Sequence, residues 1–302
     1  MKARIVEVGP RDGLQNETRP VPTDAKVAFV DALSEAGYEE IEVSAFVSPK
    51  WVPQLADAAE VFARIRRRDG VVYSALVPNE QGLDRAIEAR AGKVAVFTAA
   101  SETFNRKNVN ASIDESIVRF TPVVPRARAA GIPVRGYVST AFWCPYEGKI
   151  APAAVVRVVK RLLDLGVDEI SIGDTIGKAV PSEVHALLDL LLDAVPQDAL
   201  ALHFHDTYGT AVANALTGYE RGVATFDASA GGVGGCPYAP GAAGNVATED
   251  LLWALERSGA SLGLDLARVS AASDVLASAL GRPLRSRVRE AMGRGPASSA
   301  AP

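Results

Sequence analysis

The sequence predicts an α/β protein: a closed (β/α)8 TIM barrel with an additional C-terminal helical segment. Two observations lead there. Eight short β-branched runs alternate with longer amphipathic segments along the chain, recurring roughly every 20–40 residues. Charged and metal-binding residue types also fall repeatedly at the ends of those runs, where a barrel of this kind carries its chemistry. An open doubly wound sheet would need a phosphate-binding glycine fingerprint after the first strand, and Gly9-Pro10-Arg11-Asp12-Gly13 is not one.

Taken in order, the strand at Ala3–Val8 leads to a helix at Asp24–Ala36, and the strand at Glu40–Ser44 to a helix at Ala56–Arg67. Val71–Val77 precedes Glu80–Ala89, and Lys93–Thr98 precedes one long helix at Ile113–Ala130. Val134–Ser139, Glu169–Gly173, Ala199–His205 and Thr225–Ser229 are followed by helices at Ala153–Leu165, Ser182–Ala194, Thr210–Arg221 and Thr248–Arg257. Gly37, Gly131, Gly166 and Gly222 stand where a helix ends in the left-handed conformation. These units make a catalytic barrel over 1–258. A helical extension over 259–285, centred on Leu264–Leu280, packs on it. An unstructured tail over 286–302 follows, its end (Gly295–Pro302) rich in Ala, Ser and Pro.

With 302 residues, 48% hydrophobic and 23% charged, the chain has ample material for one core. A net charge of −4 argues against nucleic acid as a partner, because neutralising phosphates needs a basic surface. Two cysteines exclude a disulfide framework or a structural zinc cluster. Met1–Glu7 enters a strand pattern directly, and no apolar run approaches the ~20 residues that span a bilayer. A cytoplasmic location without membrane contact is expected, and a homodimer is the expected assembly.

Two of the three histidines stand in Leu202-His203-Phe204-His205-Asp206. Side-chain direction repeats every second residue in a strand, so both imidazoles share one face and suit one metal ion. Asp12, at the end of the first strand, is the natural carboxylate partner, and a mixed N/O site suits Mg²⁺ or Mn²⁺. Asn245 is either an amide oxygen ligand or a turn or helix-cap residue. Arg11 beside Asp12 is either a structural ion pair or, as a barrel mouth next to a metal favours, a clamp for developing negative charge. Glu42 is either a buried partner for Arg11 or an orienter of the site. Asp174, at the end of the sixth strand, is either a cap or a proton-transfer group. Cys236 lies in the glycine-dense run Gly231–Tyr238, whereas Cys144, in a second Cys-Pro-Tyr, is given no role.

The runs Val8–Glu17, Ser44–Pro53 and Gly231–Tyr238 resemble the 3-hydroxy-3-methylglutaryl-CoA lyase family, within the metal-dependent lyases and synthases built on a TIM barrel. The likeness extends from about Ile5 to Ala271. It implies that Asp12, His203, His205 and Asn245 hold Mg²⁺ or Mn²⁺, with Arg11, Asp174, His203, Cys236 and Glu42 around the reacting carbons. It implies a small-molecule acyl-CoA substrate, cleaved to acetoacetate and acetyl-CoA, and a place in leucine breakdown. Asp174, assisted by His203, would take the alcohol proton, Arg11 would steady the enolate, and Cys236 would protonate it. Lys107 and Asn108, after the fourth strand, are the candidates for holding CoA. Trp143, where the family leads one to expect a smaller residue, would crowd the mouth and change the acyl group accepted. Two rivals stay open: a lyase for a longer branched 3-hydroxyglutaryl-CoA, and a Claisen-condensing synthase of the same group.

Overall fold

The computed structural model describes residues 1–235 and 244–293. Eight parallel strands close into a barrel: β1 (Arg4–Glu7), β2 (Glu40–Ala45), β3 (Val72–Leu76), β4 (Lys93–Ala99), β5 (Val134–Ser139), β6 (Glu169–Asp174), β7 (Leu200–Phe204) and β8 (Thr225–Ala228). Neighbours in sequence are neighbours in space, and β1 closes the ring against β8 with Arg4 opposite Thr225 and Glu7 opposite Ala228. The strands are buried almost end to end, which is why they read as near-continuous β-branched runs.

The outer helices are α1 (Thr23–Ser34), α2 (Ala58–Arg64), α3 (Glu80–Glu88), α4 (Glu102–Val109), α5 (Ile113–Phe120), α6 (Val123–Ala129), α7 (Pro152–Asp164), α8 (Pro181–Leu191), α9 (Ala211–Glu220) and α10 (Thr248–Arg257). Two differences from the sequence pattern stand out. The helix expected over Ile113–Ala130 is two, because Pro122 cannot donate a backbone hydrogen bond and breaks the run. Helix α4 was not expected at all. It is capped by Ser101, whose Oγ accepts from the Phe104 amide at 3.1 Å.

Beyond the barrel, α11 (Leu266–Leu280) packs on α1 and α10, as a helical extension should. The tail expected over 286–302 needs correction, since α12 (Arg287–Gly293) is helical. The Asp250 carboxylate seats its start by accepting from Ser286 Oγ at 2.8 Å and from the Val288 amide at 2.8 Å. Apolar periodicity carries no trace of such an anchor. Residues 294–302 and 236–243 lie outside the described residues, and Cys236 is among them.

The barrel interior is not the usual stack of aliphatic layers. Lys93 of β4 pairs with Glu40 of β2 at 2.9 Å and with Glu169 of β6 at 3.1 Å. Arg135 of β5 pairs with Glu169 at 3.0 Å and with Asp227 of β8 at 2.6 Å. Strands β5 and β8 are separated by β6 and β7, so the Arg135–Asp227 pair must cross the inside of the barrel.

Candidate active site

The site is built where the strands end. After β1 the chain makes one wide turn, and the amides of Arg11, Asp12 and Gly13 all donate to the Val8 carbonyl, at 3.2, 2.8 and 3.1 Å. A side chain at Gly13 would place its Cβ 2.6 Å from Val233 Cγ1. Glycine therefore lets the loops after β1 and β8 touch. This turn aims Arg11 and Asp12 over the barrel mouth.

Asp12, His203 and His205 each offer a ligand atom, and those atoms all lie within 4.8 Å of one another. The two imidazole centroids are 5.1 Å apart, and His205 Nε2 is 3.9 Å from Asp12 Oδ2. Asn245 joins them through the backbone. The Val246 amide donates to the Phe204 carbonyl and the Asp206 amide to the Gly244 carbonyl, which lays Asn245 beside His205. Its side chain caps no helix, because α10 begins three residues later. Asn245 Nδ2 donates to Asp12 Oδ2 at 3.0 Å and to the Val233 carbonyl at 3.2 Å, while its buried Oδ1 has no hydrogen-bond partner. An orphaned carbonyl oxygen next to a carboxylate and two imidazoles fits an oxygen- and nitrogen-loving divalent cation. Burial opposes the charge on Asp12, but Arg11 and the two histidines outweigh it and hold the carboxyl well below its ordinary range. It is a ready anionic ligand.

Arg11 is buried between two carboxylates. Its Nε and Nη2 both lie 2.7 Å from Glu42 Oε2, and its Nη1 lies 2.5 Å from Asp12 Oδ1. The guanidinium sits 5.2 Å from the centre of the Tyr137 ring, and Tyr137 Oη donates to Glu42 at 3.1 Å. Burial pulls the Arg11 pKa down, but Glu42 and Asp12 more than reverse that, so the residue stays charged. The two readings of Glu42 merge: as the buried partner of Arg11 it also orients it.

Asp174 is held by its own turn. The side chain is fully buried, does not line the cavity, and accepts from the backbone amides of Lys178 at 3.1 Å and Ala179 at 2.9 Å. Its carboxylate thereby fixes the turn after β6, and its charge also reaches His205. Burial raises its pKa to about 6 against those two hydrogen bonds. Trp143 departs from its expected place at the mouth. It is not part of the cavity wall; its indole donates to Glu183 at 3.0 Å, and Lys178 Nζ lies 4.0 Å from its ring centre. Cys144 is buried with its sulfur 3.1 Å from Ser101 Oγ.

A cavity of about 850 Å³ opens over these groups. Arg11, Asp12, His203 and His205 form its floor, and Lys107, Asn108, Arg106 and Arg119 line it as well. Lys107 Nζ is 4.5 Å from the centre of the Tyr146 ring. Gly235, the last described residue before Cys236, also lines the cavity, and its carbonyl accepts from Asn16 at 3.1 Å.

The sequence reading did not find three neighbours of the site. Tyr137 lines the cavity, Asp227 Oδ2 lies 3.2 Å from His203 Nδ1, and Arg135 holds Asp227. Each lies inside a strand, where spacing alone does not separate an inward charge from a solvated one.

A family model described as HMGL-like matches residues 2–276. The chain belongs to the HMGL-like family. Among relatives in this family, the mitochondrial hydroxymethylglutaryl-CoA lyase of Bos taurus is 52% identical over 290 residues, covering 96% of this chain and 89% of its own. The hydroxymethylglutaryl-CoA lyase of Pseudomonas mevalonii is 52% identical over 284 residues, covering 94% of each. A solved HMG-CoA lyase from Acinetobacter baumannii, in complex with coenzyme A and 3-methylmalate, superposes with a TM-score of 0.92 at 38% identity, covering 100% of this chain and 97% of that one.

Proposed function

We propose that the chain is a carbon–carbon lyase that cleaves (S)-3-hydroxy-3-methylglutaryl-CoA to acetoacetate and acetyl-CoA. The observation that carries this is one cavity lined by a buried guanidinium beside an Asp–His–His donor set, with cationic side chains along the wall. Relatives bearing that activity in their names match nearly the whole chain at about half identity.

Asp12, His203, His205 and the Asn245 carbonyl oxygen would hold Mg²⁺ or Mn²⁺. Bound there, the cation supplies a Lewis acid that makes the substrate's tertiary alcohol easier to deprotonate. The remaining chemistry belongs to the side chains. Cleavage leaves the acetyl-CoA fragment as an enolate, and Arg11, held rigidly by Glu42 under Tyr137, presents fixed positive charge to its oxygen. Such preorganised donors cost no reorganisation when charge develops. Cys236 is the proposed acid that delivers a proton to the enolate carbon. The imidazole Nε2 of His203 has one lone pair, so we assign it to the cation rather than to the alcohol proton. Asp174, whose carboxyl is raised to about 6 by burial and whose charge interacts with His205, is the proposed acceptor of the alcohol proton.

Lys107 and Asn108, with Arg106 and Arg119, are the proposed contacts for the phosphates and amides of CoA. A homodimer and a cytoplasmic location are part of this proposal, and a role in leucine breakdown rests on the family likeness; no described helix is long and apolar enough to cross a membrane. The testing experiment incubates Mg²⁺-loaded protein with (S)-3-hydroxy-3-methylglutaryl-CoA and assays acetoacetate. Its formation is expected. Release of free CoA with a 2-oxo acid as co-substrate, and no acetoacetate, would point to condensation instead.

A further inference from the structure

We propose that Asp227 is a positioning residue for the cation: it fixes the tautomer and orientation of His203, and Arg135 and Ser171 in turn fix Asp227. The inference rests on the metal reading above and deepens it. His203 Nδ1 lies 3.2 Å from Asp227 Oδ2 in a buried pocket. A carboxylate at that distance accepts from Nδ1–H, which leaves Nε2 unprotonated and turned to the cavity. The same Oδ2 accepts from Ser171 Oγ at 2.8 Å, and Oδ1 accepts from Arg135 Nη2 at 2.6 Å. Asp227 therefore cannot rotate without breaking two other bonds, and it comes from a different strand than the histidine it holds.

The chain of contacts continues inward. Arg135 is 1% exposed and pairs with Glu169 as well as Asp227, and Glu169 pairs with Lys93. The Arg135 guanidinium thus pairs with the acceptor inside the barrel, where Asp227 is 2% exposed. A ligating histidine whose other nitrogen is fixed by a carboxylate binds its metal more tightly, and loss of that partner typically weakens metal affinity ~10–100-fold.

The test compares wild type, Asp227→Asn and Ser171→Ala. Asparagine keeps the size of the side chain, but its amide can donate to His203 Nδ1 and favour the opposite tautomer. Mn²⁺ binding is measured by the electron paramagnetic resonance signal of the free ion, and unfolding by urea in the metal-free protein. The ring nitrogens of His203 are observed by ¹⁵N NMR on metal-free protein at pH 8. Wild type is expected to carry its proton on Nδ1. Asp227→Asn should move it to Nε2 and raise the Mn²⁺ Kd about 10–100-fold. Ser171→Ala should shift the Kd in the same direction by a smaller factor. A folded Asp227→Asn that binds Mn²⁺ as wild type does would overturn the inference, as would a wild-type proton on Nε2. Should Asp227→Asn fail to fold, Ser171→Ala, which leaves the Arg135 pair intact, decides by the same Kd. Wild type that binds no Mn²⁺ would overturn the metal reading itself, a result distinct from equal binding by both proteins.

Discussion

Replacing Arg11 with Met separates two roles that its geometry combines. Among the described residues the guanidinium alone turns two nitrogens to Glu42, and Glu42 Oε1 already lacks a hydrogen-bond partner there. Removing Arg11 leaves a buried carboxylate with the Tyr137 hydroxyl at 3.1 Å and the more distant charge of Arg135. Breaking a buried pair in this way typically costs ~3–5 kcal/mol, and the remaining charge of Arg135 places Arg11→Met at the low end, about 3 kcal/mol. Losing a preorganised donor to the enolate costs ~10²–10³ in kcat, or about 2.7–4 kcal/mol. The double variant Arg11→Met/Glu42→Leu divides the effects, because removing both charges of a buried pair is close to neutral for stability. Urea unfolding should show the single variant weakened and the double variant restored to within ~1 kcal/mol. Acetoacetate release at saturating Mn²⁺ should stay ~10²–10³ below wild type in both. A double variant with restored stability and near-normal turnover would refute the role assigned to Arg11. A single variant as stable as wild type would refute the claim that Glu42 depends on it.

Three further outcomes are expected. Asp12→Ala and His205→Ala should lose Mn²⁺ binding and acetoacetate formation together, measured by calorimetric titration and the product assay; activity without the metal would remove them from the ligand set. Cys236→Ala should lower turnover strongly with metal content intact, and normal turnover would remove Cys236 from the acid's role. Burial raises the Glu7 pKa from 4.5 to about 7, against hydrogen bonds from Ala230, Tyr38, Gly9 and Thr248. A carboxyl whose folded pKa is raised favours folding below its unfolded value, and that contribution is lost as pH rises through 7. The component amounts to about 3 kcal/mol. The urea midpoint of wild type should therefore fall between pH 5 and pH 8 relative to Glu7→Gln, and parallel curves would show that Glu7 is not the source.

The barrel itself was legible because closure needs only an alternation of strand and helix, and every strand lies within a few residues of its expected bounds. Helix α4 was hidden by its composition, since Glu102, Asn105, Arg106, Lys107 and Asn108 read as a polar loop. The visible trace was Ser101, a capping type at the right place. In the site, Asp12, His203 and His205 could be read because they sit where strands end, a position the fold reserves for chemistry. Asn245 could not be separated from a cap until its backbone was seen paired to the end of β7. Asp174 shows the reverse: its strand-end place could be read, but not the two backbone amides that hold its carboxylate.

Asp227, Arg135 and Tyr137 were missed for a deeper reason. A period of two tells which residues share a face, but not which face is inside. Charged residues default to the outer face because burial of an unpaired charge is costly. Here the charges face inward and satisfy one another across strands that are not neighbours: Arg135 with Asp227, Lys93 with Glu40 and Glu169. Those partners meet only once the barrel has closed, so no local window of sequence contains the pair. Such an interior does not stabilise the fold more than aliphatic packing would, because buried pairs roughly offset their own desolvation. What it provides is direction. Each charge has one geometry that satisfies its partners, and the last link, Asp227, passes that constraint to His203 at the barrel mouth.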